Sequence, residues 1–387
     1  MENVHTSHVL KKSEILMHIF SLIVLFSSLF CVSYADERFQ HWDRNGDGKL
    51  IPAEVPAQLR GNFKRVDTNG DGFISLEEHQ SALGIKVKPR EDVLANTVNI
   101  LPNLTYTDSE HPRQRLDLIV PRESLDAPRP LVVYIHGGGW QSGDRRSGWA
   151  KLRSLVERGT YVGASVGYRL SGDALWPAQI HDCAAAIRWL KANADQYGID
   201  PNRIAVWGDS AGGHLVSMLG VASGQSELVG SLGPHPQQSS SVQAVIDFYG
   251  PTDLLAMQSQ SRPGDQIDHD AADSPESKLF GKPLQSCPTE ARAASPLTHV
   301  SSDDSPTLIV HGDADRLVPW AQSSIFAEKL KAADVKVEMI TVRGGGHGGF
   351  RNPEVFRYVE AFLDHHLRGI SKVKIPESVA VGNRVKK

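Results

Sequence analysis

From about residue 98 onward, short apolar runs rich in β-branched residues alternate with longer stretches of helical period. The strand-like runs are VNILPNLTYT, RLDLIV, LVVYIH, YVGASVGYR, RIAVWG, VQAVIDFYG, TLIVHG and KVEMITVRG. Several are apolar at successive positions, the pattern of strands covered on both faces. Between the later runs, residues 149–157, 179–197, 211–221, 321–333 and 353–366 carry a helical pattern. Such alternation predicts an α/β domain over 98–368, with a mostly parallel eight-stranded sheet and helices on both faces. Residues 256–300 hold no strong period and are rich in Ser, Pro, Asp and Gln. An irregular insertion of that kind in a compact α/β domain reads as a functional loop or lid. The segment 369–387 is polar and mildly basic, and predicts a disordered tail.

Upstream of 98 the pattern changes three times. Lys11 and Lys12 precede an apolar run over 15–30, which ends in Ser33, Tyr34 and Ala35. Charge, apolar run and small-x-small site, in that order, predict a signal peptide over 1–35 and a secreted or periplasmic protein. An uncleaved anchor helix is the alternative; the run is short for a span and interrupted by serines and His18. No later stretch is long and apolar enough to span, so no stable membrane span is expected once the leader is removed. Residues 36–80 form a small polar unit, and 81–97 read as a linker.

The polar unit contains DRNGDGKLIPAE (43–54) and DTNGDGFISLEE (67–78), each matching the EF-hand loop pattern at all its fixed positions. In the first loop, Asp43, Asn45 and Asp47 offer side-chain oxygens, Lys49 its carbonyl, and Glu54 both carboxylate oxygens; Gly48 permits the sharp turn. In the second, Asp67, Asn69, Asp71, Phe73 and Glu78 take the same parts around Gly72, with Ser75 binding through a water. Ile51 stands in the corresponding place of the first loop and has no side-chain oxygen. Hard oxygen donors at this spacing select calcium, so two calcium ions are expected. Asx-rich turns are the alternative, and two full matches side by side tell against it. Only one short helix, near 55–66, fits between the loops, which favours a structural role over a sensor. The stretch resembles the compact EF-hand pairs attached to secreted bacterial hydrolases, which implies weak affinity, ~10⁻⁴–10⁻³ M.

Composition narrows the remaining choices. The chain has 387 residues, 40% hydrophobic and 22% charged, with a formal net charge of −4. That supports one large core and a small annex, and argues against a nucleic-acid partner or a polybasic membrane patch. Of the three cysteines, Cys31 belongs to the leader. Cys183 and Cys287 can pair in an oxidising compartment, or Cys183, set in the apolar helical pattern AQIHDCAAAIRWLKA, can be a buried free thiol.

The candidate chemistry centres on RIAVWGDSAGGHL (203–215). G-x-S-x-G alone is a weak signal in a chain with 34 glycines. Here Ser210 falls where a strand pattern gives way to a helix pattern, the strained turn that exposes a hydroxyl at a sheet's carboxyl edge. A serine needs a base to take its proton. His347, in RGGGHGGF, follows the last strand run. The loop HGDADRLVP offers Asp313 and Asp315 to orient that imidazole. HGGGW, residues 136–140, follows LVVYI; its glycines let backbone amides approach a substrate. Gly138 and Gly139, with Ala211 after the serine, are the expected oxyanion donors. His136 reads as structural, and Trp140 as either lining an acyl pocket or packing. The order serine, acid, histidine is that of α/β-hydrolases.

Over 98–368 the chain resembles an α/β-hydrolase of the hormone-sensitive-lipase-like esterase group. VYIHGGGWQSGD, ASVGYRLS, PAQIHDCAAAIRWLKANADQYGIDPNRIAVWGDSAGGHL, SPESKLFG and HGDADRLVP are closer still to bacterial carbohydrate esterases described as bifunctional acetylxylan and feruloyl esterase-like. The resemblance implies a carboxylic ester hydrolase acting on a small-molecule or polysaccharide ester, with Asp315 as the acid and no cofactor for catalysis. An aryl-formamidase or peptidase on the same fold, or a non-catalytic calcium-dependent binding module, are the competing readings.

Overall fold

The structure, a computed structural model, describes residues 38–39, 42–43, 49–68, 72–83, 98–122, 127–222, 225–350 and 352–382. The chain divides into two compact units at residues 91/92. The leader and most of the linker lie outside the described residues. Among the described residues, no helix is long and apolar enough to cross a membrane.

The N-terminal unit is built on a two-residue ladder. β1 (Lys49–Leu50) pairs antiparallel with β2 (Ile74–Ser75), placing Leu50 opposite Ile74. These residues hold the same position in the two Asp/Gly loops, so the loops meet as near-symmetric partners. A 3₁₀ turn, Ala57–Asn62, and α1 (Phe63–Val66) connect them, and α2 (Leu76–Ala82) leads away. Phe39, Leu50, Val55, Phe63 and Ile74 form the small core. Ser75 and Glu78 start α2 as a reciprocal capping box.

The larger unit contains a nine-stranded sheet in the order β11-β10-β9-β8-β7-β5-β6-β4-β3. In chain order the elements are β3 (Val98–Thr105), β4 (Arg115–Pro121), β5 (Arg129–Ile135), α3 (Ser147–Glu157), β6 (Val162–Val166), α4 (Ala178–Ala192), β7 (Ile199–Asp209), α5 (Ala211–Val221), β8 (Ala244–Phe248), β9 (Thr307–Gly312), α6 (Ala321–Ala332), β10 (Val337–Arg343), α7 (Pro353–Arg368) and β11 (Ser378–Ala380). Only β3–β4 and β4–β6 pair antiparallel; every pairing from β6 through β5 to β11 is parallel. Each of the eight strand-like runs forms a strand. β6, β8 and β9 are buried at every position and β5 at all but its first, because helices cover both faces.

Two expectations are corrected. The tail is not disordered throughout: β11 pairs with β10, Val342 opposite Val379, and adds a ninth strand to the eight expected. Val379 is buried, and Ile375 and Val381 pack on the core. Three residues are too few to carry a period, yet they cover an edge whose amides and carbonyls need partners. The insertion over 256–300 is not irregular either. It folds into short turns of helix, among them Met257–Gln260, Pro275–Phe280 and Pro288–Ala293, anchored by buried Met257, Leu279, Phe280, Leu284 and Ala291. Helices of one to two turns are too short for periodicity to reveal.

Cys183 and Cys287 are separate buried thiols, so the pairing alternative is not realised. Burial pushes the Cys183 thiol well above its ordinary value, as suits an inert core residue.

Candidate active site

Strand order reverses around β5, which lies between β6 and β7. In such sheets the crevice beyond the carboxyl ends of these strands receives ligands. Ile135 of β5 lies opposite Gly208 of β7, so the glycine loop after β5 and the serine turn after β7 emerge side by side. The turn is tight: a Cβ on Gly208 would collide with the carbonyl of Gly212, and one on Gly212 with the carbonyl of Ile135. Ser210 itself is held at φ 55°, ψ −123°, outside the favoured regions for a residue with a side chain. Such strain costs roughly 1–3 kcal/mol and collects at functional sites. Its amide is tied to the carbonyl of Phe248 on β8 at 2.8 Å.

The Ser210 hydroxyl lies 2.9 Å from Nε2 of His347, and Nδ1 of His347 lies 2.7 Å from Oδ2 of Asp315. With a carboxylate against Nδ1, that nitrogen carries the proton and Nε2 accepts from the serine. Three residues from three loops are thereby joined in one hydrogen-bonded line. Asp315, not Asp313, meets the imidazole; Asp313 caps the backbone amide of Gly344 at 2.7 Å instead.

Asp315 is fully buried and accepts four hydrogen bonds. The amides of Leu317 and Val318 reach Oδ1 at 2.8 and 3.0 Å, and His311 joins His347 on Oδ2 at 3.1 Å. Burial opposes the charged form. The charge of His347 and the hydrogen bonds from both histidines outweigh it, and hold the carboxyl well below its ordinary range. Sequence reasoning missed His311. Its Nε2 also faces the carbonyl of Val318 at 3.0 Å, and its Nδ1 meets the Ser323 hydroxyl at 2.7 Å. Two acceptors at Nε2 place the proton there. Its position four residues before Asp315, at the end of β9, was the available signal.

Two further groups were also missed. The Tyr249 ring packs on His347 with centroids 4.6 Å apart, and its hydroxyl donates to Asp209, the residue before the serine, at 3.3 Å. Asp209 also accepts from Tyr134 and lies 3.7 Å from the Lys151 ammonium. Burial would raise its pKa; Lys151 and the Tyr134 hydrogen bond bring it below the ordinary value.

Gly138 and Gly139 have φ of 115° and 58°, so the loop turns in a way that favours glycine. Among the described residues, the amides of Gly138, Gly139 and Ala211 donate to no backbone acceptor outside regular elements. Ala211 opens α5, whose N-terminus favours negative charge. Pro275 of the insertion stands against Gly139, so the insertion forms part of the wall beside this loop. His136 is buried and stacks on Tyr168 at 4.4 Å, in keeping with a structural role. Trp140 is buried and packs, rather than presenting its face to the crevice.

In the N-terminal unit, Asn45, Asp47, Asn69 and Asp71 lie outside the described residues, as does the Lys49 side chain. Asp43, Glu54, Asp67, Phe73, Ser75 and Glu78 are described. Gly72 turns at φ 84°, and its amide donates to Asp67 at 3.0 Å. The Glu78 carboxylate spans the loop, taking the Thr68 amide at 2.9 Å and the Ser75 amide at 2.9 Å. In the first loop, Glu54 accepts from the amide of Ile51 at 3.1 Å. Asp67 and Glu78 thus accept from backbone amides of the second loop, and both are hard oxygen donors of the kind calcium takes. Ser75 acts here as the helix cap. Among the described residues, no three acidic, histidine or cysteine side chains cluster to hold a metal.

Comparison with known proteins gives the family and the fold. A BD-FAE family model matches residues 116–330, more than half of the chain. The chain belongs to the BD-FAE family. An EF-hand model matches residues 62–80, the second loop with its flanking helices. Esterase LipC of Mycobacterium tuberculosis is 33% identical over 242 residues, covering 62% of this chain and 58% of the relative. The chain spans about half the length of the curated relatives it matches. Among solved structures, a truncated form of a carbohydrate esterase from gut microbiota is 32% identical, with a TM-score of 0.64, over 70% of this chain and 97% of that one. A bifunctional GH43-CE protein of Bacteroides eggerthii is 31% identical, with a TM-score of 0.63, over 69% of this chain and 35% of its own. The BD-FAE domain is an α/β-hydrolase fold, as its sheet order and serine turn require.

Proposed function

We propose that this BD-FAE protein is a secreted serine carboxylesterase that removes acetyl or hydroxycinnamoyl groups from carbohydrate. The hydrogen-bonded line Ser210–His347–Asp315 beside three backbone amides carries the reading. Ser210 Oγ attacks the ester carbonyl as its proton passes to Nε2 of His347. The amides of Gly138, Gly139 and Ala211 receive the negative oxygen of the tetrahedral intermediate. His347 returns the proton to the departing alcohol as the C–O bond breaks, leaving an acyl-serine. Water then attacks that ester with His347 as base, releasing the acid and restoring the hydroxyl. Asp315 holds the imidazole in its tautomer and stabilises the imidazolium, while His311 and the Leu317 and Val318 amides hold Asp315.

The similarity to solved carbohydrate esterases supports a sugar ester as substrate. The residues over 1–35 support export. In the N-terminal unit, Asp43, Glu54, Asp67 and Glu78, with Asn45, Asp47, Asn69 and Asp71, would hold two calcium ions with a structural effect.

A panel of 4-nitrophenyl acetate, methyl ferulate, acetylated xylan and a long-chain ester tests the reading. Hydrolysis of the acetyl and feruloyl members is expected. A folded Ser210→Ala variant should lose several orders of magnitude in kcat, since the oxyanion hole alone leaves only about 10³–10⁴-fold catalysis over water. No hydrolysis of any member by wild type, or an undiminished rate in Ser210→Ala, overturns it.

A further inference from the structure

Gly138, Gly139 and Trp140 occupy positive φ in succession, at 115°, 58° and 57°. Glycine adopts such conformations freely. A tryptophan persists there only where its surroundings leave it no alternative. The surroundings of Trp140 meet that condition. The side chain is 1% exposed, and its Nε1–H donates to Nδ1 of His214 at 3.2 Å. The two rings meet edge to face, with centroids 5.2 Å apart. His214 is fully buried, and its other nitrogen, Nε2, lies 2.7 Å from the carbonyl of Ala294. Trp176 closes the cluster, 5.4 Å from the imidazole.

Three parts of the chain therefore meet on one ring. His214 stands on α5, just after Ser210. Trp140 ends the glycine loop, and Ala294 belongs to the insertion. A single neutral tautomer serves both partners: Nδ1 accepts from the indole, and Nε2 donates to the carbonyl. A second proton would set Nδ1–H against the indole N–H. Burial holds the imidazole pKa down to about 4, so the accepting tautomer prevails at neutral pH.

We propose that His214 is a positioning residue for the oxyanion loop: through Trp140 it holds the Gly138 and Gly139 amides where the tetrahedral intermediate's oxygen forms. This rests on the esterase reading above. An oxyanion donor is effective only when fixed in advance of the charge it meets. Releasing the loop removes transition-state stabilisation and leaves ground-state binding largely intact.

Trp140→Phe keeps an aromatic ring and deletes the one N–H; His214→Leu removes the acceptor. Both are measured for kcat and KM on 4-nitrophenyl acetate, and for inhibition by an aryl trifluoromethyl ketone, whose adduct with Ser210 places an oxyanion in the hole. In Trp140→Phe, kcat should fall at least about tenfold, a part of the roughly 10²–10³-fold that losing a whole donor costs. KM should stay within about twofold, and the inhibition constant should rise by the factor that kcat falls. His214→Leu should show the same pattern, and the double variant should be no worse than the poorer single, since both delete one interaction. If His214→Leu does not fold, the kinetic and inhibitor pair on Trp140→Phe decides alone. Wild-type kcat in a folded Trp140→Phe, or a loss of kcat with unchanged inhibitor affinity, overturns the proposal. A wild-type protein that hydrolyses no ester overturns the esterase reading instead, so the two failures are distinct.

Discussion

Asp313 and Asp315 share one loop and one chemistry, yet only Asp315 has an imidazole to hold. Asp315→Asn should lower kcat by about 10⁴-fold while the protein stays folded, because an amide cannot fix the tautomer that leaves Nε2 free to accept. Asp313→Asn should change kcat by less than about tenfold, since it removes only a cap on the Gly344 amide. Steady-state kinetics on the folded pair decides, and a larger loss in Asp313→Asn would reverse the assignment. Asp247 offers a test by stability. It is fully buried, accepting from the Ser217 hydroxyl at 2.9 Å and the Gly250 amide at 2.8 Å. Burial raises its carboxyl to about 6, against those hydrogen bonds. The folded state thus holds this proton more tightly than the unfolded chain. The resulting stabilisation is present below about pH 4 and is lost as pH rises through about 6. Compared with wild type, Asp247→Asn should gain about 2–3 kcal/mol of unfolding free energy between pH 4 and pH 8. Urea unfolding at both pH values measures it; a difference that does not vary with pH contradicts the burial argument. At this scale the sequence showed Ser210 and His347, because glycines flank both and each follows a strand. It left Asp313 and Asp315 open but for the resemblance. His311 had one signal, its place four residues before Asp315; His214 and Tyr249 were not legible, since their partners arrive from segments far away in the chain.

At the scale of elements, legibility follows length. Eight strands and five long helices show themselves as runs or periods of enough residues to stand out. The three residues of β11 and the short helices of the insertion do not, and their packing is settled by the surfaces they cover. The two Asp/Gly loops were legible as loops because each ligand position is fixed by type. Their pairing through Leu50 and Ile74 adds a mutual support that spacing alone does not express. Each loop carries three carboxylates: Asp43, Asp47 and Glu54, then Asp67, Asp71 and Glu78. Without a cation these repel at close range, so chelation should loosen the unit over 36–80 and open it to protease. No loop ligand is needed for acyl transfer, so activity on a small ester should change by less than about twofold. Limited proteolysis run beside an esterase assay, with and without chelator, checks both halves. Reversible loss of most of kcat on chelation would show that calcium supports the active site directly.

For the whole molecule, the sheet brings the serine turn, the acid loop and the histidine loop to one edge, beyond the carboxyl ends of β7, β9 and β10. Parallel strands make that convergence unavoidable, and it is why three residues so far apart in the chain form one line of hydrogen bonds. The central claim is that Ser210 becomes covalently acylated. Its most direct test is intact-protein and peptide mass spectrometry after reaction with a fluorophosphonate probe. Stoichiometric labelling on the peptide carrying Ser210, with parallel loss of esterase activity and no labelling of Ser210→Ala, is the expected result. Labelling that persists in Ser210→Ala, or full activity in a protein labelled at Ser210, would contradict it.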